Sequence, residues 1–248
     1  MFTFKQFVIR QDRAAMKVGT DACVLGAYAD VAGSRILDIG TGTGLLALMA
    51  AQRNPAATVD AVEVDDGAFG QAVENVAASP NADRVHVWHG RVQDFGGTPL
   101  TPDPSRNGGP PKTREGSYDR ILTNPPFYTN HLRSPDAAVN RALHTDELPV
   151  DELVATVVRL LKPDGQWWVL LPPYEMDKLT ELAQTAGLQP FRQLHLRHND
   201  QKPVFRVVTG FAYEAGNVVN ETLTIYELDS RTYTPQFRAL LRDFYLIF

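Results

Sequence analysis

The sequence predicts an α/β fold with a mostly parallel sheet and an antiparallel pair of strands near its C-terminal end. Three observations carry this. Short apolar runs alternate with helical patterns from residue 35 to residue 187. A glycine-rich turn, "GTGTG" (40–44), joins the first of those runs to a helix. From about residue 189, strand-like runs follow one another with no clear helix between them. Strands alternating with helices require right-handed crossovers and hence parallel pairing, whereas consecutive runs pair antiparallel.

The elements follow in order. "RILDIG" (35–40) is a short apolar strand, and "GLLALMAAQR" (44–53) has helical composition. "TVDAVEV" (58–64) is a second strand, followed by a helix over "GQAVENVAAS" (70–79). "RVHVWHG" (84–90) and "YDRILTN" (118–124) are the third and fourth strands. "VDELVATVVRLLKPDG" (150–165) repeats apolar residues at three-and-four spacing and reads as a helix stopped by Lys-Pro-Asp-Gly. "QWWVLLPP" (166–173) is a fifth strand and "MDKLTELAQTAG" (176–187) a helix. "FRQLHLRH", "VFRVVTGFAY" and "TLTIYEL" are expected to pair antiparallel, and "TPQFRALLRDFYLIF" (234–248) is a last helix with an apolar end. The stretch 96–117, rich in Pro, Gly and polar residues, reads as a mobile surface insertion between two strands.

With 248 residues, 44% hydrophobic and 21% charged, the chain can bury a large core. A single cysteine, Cys23, excludes an internal disulfide and points to a reducing compartment, the cytoplasm. "MFTFKQFVIRQD" carries charge too early for a secretory leader, and "LLALMAA" (45–51) is too short to span a bilayer. A net charge of −5 argues against a broad, non-specific grip on nucleic acid. Two stretches are nonetheless basic. Residues 1–20 hold Lys5, Arg10, Arg13 and Lys17 against Asp12, and residues 190–206 hold Arg192, Arg197, Lys202 and Arg206 against Asp200.

The glycine turn has the spacing G-x-G-x-G, with Gly40, Gly42 and Gly44, instead of the G-x-G-x-x-G that cradles a dinucleotide pyrophosphate. Asp38 precedes it, and an acid facing a ligand crevice there would repel a pyrophosphate. It suits a ligand bearing an ammonium group, which favours S-adenosylmethionine (SAM) over NAD. Glu63 closes the second strand, where an acid commonly takes ribose hydroxyls. This arrangement resembles the class I SAM-dependent methyltransferases, a Rossmann-like fold whose sheet carries an antiparallel hairpin at its C-terminal edge. In that family an acid after the third strand often contacts the adenine of the cofactor. Here Arg91 stands there and Asp94 is the nearest acid, so adenine recognition is expected from Asp94 or from backbone near Val92.

"TNPPFYT" (123–129) ends the fourth strand with two prolines that cannot extend it. An exocyclic amine on a purine is a poor nucleophile, because its lone pair is delocalised into the ring. Two acceptors that bind its two N–H groups can tilt the lone pair outward. Asn124 and the Pro125 carbonyl supply such a pair, Pro125 and Pro126 fix its geometry, and Phe127 offers a stacking face. Three substrates fit: adenine N6, cytosine N4, or a protein glutamine amide.

"FKQFVIRQDRAAMKVGTDACVLGAYA" (4–29) is similar to the N-terminus of the bacterial tRNA adenine-N6 methyltransferases that modify valine tRNA beside its anticodon. "KPVFRVV" (202–208) and Phe244-Tyr245-Leu246 extend that likeness nearly end to end. The resemblance implies one methyltransferase domain over 1–248, with 1–30 covering the cofactor and touching RNA and 96–117 a flexible insertion. Lys17, Thr20 and Asp21 would lie over the SAM pocket, and Asn124 would border it. Arg141 and His144 would position substrate, while Arg10, Arg13, Lys202 and Arg206 would meet tRNA. No metal, membrane or obligate protein partner is expected. The rivals are a glutamine methyltransferase of the release-factor type, which would need a helical domain before the glycine turn, a DNA adenine methyltransferase, and an RNA-binding protein without turnover.

Overall fold

A computed structural model describes residues 1–14, 16–96, 116–125, 148–214 and 216–248. The chain opens with a small antiparallel hairpin, β1 (Phe2–Thr3) and β2 (Val8–Ile9), and a helix, α1 (Thr20–Tyr28). The alternating part runs β3 (Arg35–Ile39), α2 (Leu45–Arg53), β4 (Thr58–Glu63), α3 (Asp66–Ala77), β5 (Val85–His89) and β6 (Tyr118–Thr123). It continues through α4 (Val150–Leu160), β7 (Leu161–Leu171) and α5 (Pro173–Thr185). The last elements are β8 (Gln189–Arg197), β9 (Val204–Ala212), β10 (Val219–Thr224) and α6 (Pro235–Leu241).

The main sheet has eight strands in the order β10-β8-β9-β7-β6-β3-β4-β5. β9 alone is reversed, antiparallel to both β7 and β8. Adjacent tryptophans in β7 show how both faces are covered. Trp168 packs with α1, α2 and α6 on one side, and Trp167 with α4 and α5 on the other. Burial on both faces explains why these strands read as continuous apolar runs. Among the described residues no helix is long and apolar enough to cross a membrane.

Three expectations need correction. β10 pairs parallel with β8, although it follows β9 in sequence. Both edges of β9 are already taken by β7 and β8, so the returning strand can add only to the outer edge of β8. α4 ends at Leu160, just before the Lys-Pro-Asp-Gly stop, but the strand expected from residue 166 already begins at Leu161. Residues 162–165 instead enter β7 across a shift in register, where Tyr118 faces Leu161 but Arg120 faces Gln166. Finally, α3 begins at Asp66, four residues before the expected 70, because the Asp65 side chain accepts from the Ala68 N–H at 2.9 Å and caps it.

Candidate active site

β3 occupies the point where the winding of the sheet reverses: β4 and β5 extend to one side of it and β6 and β7 to the other. Ligands of open α/β sheets bind at that crevice, beyond the carboxyl ends of the strands. The register pairs Ile39 of β3 with Thr123 of β6 and with Val62 of β4. Gly40, Asn124 and Glu63 therefore stand side by side on one edge.

The turn after β3 is tied to β4 through the Gly40 and Thr41 N–H groups, which donate to the Val62 carbonyl at 2.9 and 3.0 Å. A Cβ added at Gly40 or Gly42 would meet nothing within 4 Å, so the turn faces open space. Both have positive φ, 68° and 58°, which favours glycine. Gly44 differs: it caps α2 in the left-handed region and packs on Ala72 and Val76 of α3.

Asp38 was expected to face the crevice. It is completely buried beneath the turn instead, where Oδ2 accepts from Thr41 Oγ1 at 2.5 Å and from the Ala47 N–H at 3.1 Å. Its Oδ1 has no hydrogen-bond partner among the described residues. Burial pushes the carboxyl up to about 7, and the nearby Glu63 charge adds to this; the bonds from Thr41 and Ala47 oppose it. Glu63 accepts from the Gly42 N–H at 2.8 Å and from the Val64 and Asp65 N–H groups at 2.9 and 3.0 Å. Its pKa is also raised by burial, against those three amides. A carboxylate has about four acceptor positions, so one remains for a ribose hydroxyl. The open glycine turn, the unpartnered Asp38 oxygen and the remaining Glu63 position fit a cofactor with a ribose and a cationic tail.

Thr123 is fully buried, and its Oγ1 accepts from Trp167 Nε1 at 3.1 Å. That bond fixes the residue before Asn124, which is partly exposed, while Pro125 is buried. Pro126, Phe127, Arg141 and His144 lie outside the described residues, as does most of the expected insertion at 96–117.

The N-terminal segment is strapped onto α3 by residues that periodicity alone did not single out. Asn75, 2% exposed, accepts from the Arg10 N–H at 2.9 Å and donates to the Arg10 and Thr43 carbonyls at 2.8 and 2.9 Å. It thus joins the segment to the glycine turn. Gln71, one turn earlier, accepts from the Arg13 N–H at 3.2 Å. Two buried amides at i and i+4 interrupt the apolar stripe of α3, and that was the available signal. The Asn75→Ala protein is expected to lose about 1–3 kcal/mol in urea denaturation, the scale for stranding buried backbone groups. Limited proteolysis should then cut first near residues 10–14; an unchanged cleavage pattern would show that other contacts hold the strap.

The charged candidates divide. The Lys17 ammonium closes its own loop, donating to the Gln11 and Ala14 carbonyls at 2.5 and 2.8 Å. Thr20 begins α1, and Asp21 accepts from Arg206 Nε at 3.0 Å. Arg206 is therefore engaged by Asp21, and Arg13 pairs with Glu74 at 2.5 Å. The Arg10 and Lys202 side chains are exposed and make no ion pair among the described residues. Val92 is buried, its carbonyl accepting from the Phe95 N–H at 3.1 Å and from Arg159 Nη2 at 3.3 Å, and Asp94 is exposed. Arg159 also reaches the Gln93 and Phe95 carbonyls at 3.1 and 3.0 Å, so α4 holds this turn in place.

A doubly wound sheet with one reversed strand, whose glycine turn at the switch point lies beside an acid-terminated β4, is the architecture of the class I SAM-dependent methyltransferases. A crystal structure described as a predicted O-methyltransferase from Agrobacterium tumefaciens shares it, with a TM-score of 0.64 at 17% identity, covering 90% of this chain and 96% of that one. Residues 16–95 match the family model described as methyltransferase small domain. A Dyadobacter fermentans protein named tRNA1(Val) (adenine(37)-N6)-methyltransferase is 48% identical over 251 residues, spanning 100% of this chain and 98% of that protein. A Flavobacterium johnsoniae protein of the same name is 36% identical over 248 residues, 99% of each. The chain belongs to the tRNA1(Val) (adenine(37)-N6)-methyltransferase family.

Proposed function

We propose that this protein transfers a methyl group from SAM to the exocyclic N6 of adenine 37 in the anticodon loop of a valine tRNA. The observation that carries this is Asn124-Pro125 at the end of β6, in register beside the open glycine turn on β3. The names of the full-length relatives supply the same substrate.

When bound, SAM supplies a methyl group made electrophilic by its sulfonium. Gly40 and Gly42 would admit it against the backbone, Glu63 would take a ribose hydroxyl, and the Asp38 carboxyl beneath the turn would be ionised by the cofactor's positive charge and complement it. Residues 92–94, held by Arg159, border its adenine. The Asn124 side-chain oxygen and the Pro125 carbonyl accept the two N6–H groups of the substrate, which turns the nitrogen lone pair toward the methyl. Pro126 keeps the corner rigid and Phe127 stacks on the base. The methylated nitrogen is acidic, so its extra proton passes to water and no strong base is needed. Arg141 and His144 position the substrate.

A loop adenine suits this corner, because it can leave its stack without breaking a duplex. The whole chain acts as one domain, with residues 1–30 strapped beside the cofactor turn. One buried cysteine and a tRNA substrate suit the cytoplasm.

The test is methylation of total tRNA with labelled SAM, followed by identification of the modified nucleoside. N6-methyladenosine at position 37 of a valine tRNA is expected; a methylated protein with unmodified tRNA would overturn the reading. Lys and Arg contacts to phosphate release counterions, so tRNA affinity should fall steeply with salt. Lys202→Ala and Arg10→Ala should each flatten that slope by about one unit, while Arg13→Ala and Arg206→Ala, whose cations are already paired, should flatten it less. Slopes in all four equal to that of the wild type would remove both basic stretches from the RNA footprint.

A further inference from the structure

The reversed strand brings a second group of residues to the active-site edge. β9 runs against β7, so its first residues, Val204 to Arg206, lie at the edge where Asn124 follows β6. β8 runs with β7, so Arg197 and His198 finish at that edge too. There the His198 and Phe205 rings stack nearly parallel, with centroids 4.5 Å apart and planes inclined by 11°. Phe205 is partly buried and covers one face of the imidazole, and His198 is exposed, so its outer face is open to solvent.

The connection carrying this pair is rigid. Asn199, 4% exposed, accepts from the Gln201 N–H at 3.0 Å and donates to Ser230 Oγ at 2.8 Å. The Lys202 N–H closes the turn onto the Asn199 carbonyl at 3.1 Å, and the Tyr226 N–H holds the His198 carbonyl at 2.8 Å. On the other side, Arg206 lies 5.6 Å from the Phe205 ring centroid and is fixed by Asp21 of α1. The Lys202 ammonium, exposed and without an ion pair among the described residues, sits in the same turn. Asp200, the acid of the turn, is held by Thr224 Oγ1 at 2.8 Å and lies 3.9 Å from Arg197.

A flat aromatic face beside an unpaired cation, held at fixed geometry, is how single-stranded nucleic acid is gripped. With strands about 4.8 Å apart, β8 lies three strands from β6, so the platform is roughly 14 Å from Asn124 along the edge. That span is shorter than an anticodon loop. We infer that the His198–Phe205 stack, with Lys202, receives a second unstacked base of the anticodon loop and its phosphate, and so sets where the target adenine enters the Asn124-Pro125 corner. This rests on tRNA being the substrate.

The discriminating residue is His198, because it is exposed and its replacement spares the fold; equal melting temperatures check that. His198→Ala should raise the KM for tRNA about tenfold or more, the scale of losing one base–aromatic stack, with SAM affinity unchanged. His198→Phe, which keeps a ring and removes the imidazole, should restore most of it. A loop carrying 2-aminopurine next to the target should be quenched on binding the wild type and less so on binding His198→Ala. If the wild type methylates tRNA and His198→Ala matches it in KM and quenching, the platform is wrong and the function stands. A loss seen only with Lys202→Ala means a phosphate contact without stacking, and also overturns it. A wild type that leaves tRNA unmodified overturns the function itself, and the platform with it.

Discussion

Asn124→Ala is expected to lower kcat on tRNA by about 10²-fold or more, while SAM binds with nearly wild-type affinity. The magnitude follows from removing one preorganised polar group aimed at the reacting centre. In the ground state the N6 amine is planar and offers its two N–H groups to any acceptor, water included. Only a fixed pair of acceptors makes the nitrogen pyramidalise in the direction of the methyl group. Asn124 can be such a fixed acceptor because Thr123 before it is fully buried and bonded to Trp167 at 3.1 Å, and Pro125 after it is buried. The alanine variant leaves those anchors intact. Its loss should therefore appear in kcat, measured under single turnover, and calorimetric SAM binding should hold. If SAM affinity falls in proportion to kcat, Asn124 holds the cofactor or the fold, and the acceptor role is wrong.

The parts of the fold that were legible in the sequence are those set by local chemistry. Glycines at 40, 42 and 44, the strand-ending Glu63 and the strand-stopping Pro125 each impose their geometry on their own neighbours. The pairing of β10 was not legible, because it depends on β9 having no free edge, a fact of tertiary structure. The end of α4 was legible in Lys-Pro-Asp-Gly, but the start of β7 at Leu161 was not, because the same polar residues read as a stop and not as a strand. α1 gave no periodic signal because Ala22 through Ala27 are all buried, so no polar face marks its period. Charges were the least legible. Arg206 and Arg13 look free in a basic stretch, yet each meets a carboxylate far away in sequence, Asp21 and Glu74. Asn75 acts across the same kind of distance, touching both Arg10 and Thr43.

Asp38 was recognised as part of the site, but its orientation was not, and that orientation has a measurable consequence for stability. A carboxylate in water near pH 4 is half ionised; here burial and the neighbouring Glu63 hold the proton until about pH 7. Between those values the folded protein keeps a proton that the unfolded chain has released. Stability from this group is thus complete below about pH 4 and is lost as pH rises toward 7, with a slope of up to about 1.4 kcal/mol per pH unit. The full loss is at most roughly 4 kcal/mol. Asp38→Asn cannot ionise, so its urea stability relative to wild type should improve from pH 4.5 to about pH 7 and level off above that. Burying the new amide adds an offset of either sign that does not vary with pH, so the readout is the slope. SAM should act in the opposite sense on the wild type. Its positive charges favour the ionised carboxyl, so saturating SAM should flatten the wild-type profile and leave that of Asp38→Asn unaltered in shape. Parallel profiles for the two proteins without SAM would show that Asp38 does not carry the buried proton. A wild-type slope that SAM leaves unchanged would place the cofactor's charge away from the turn.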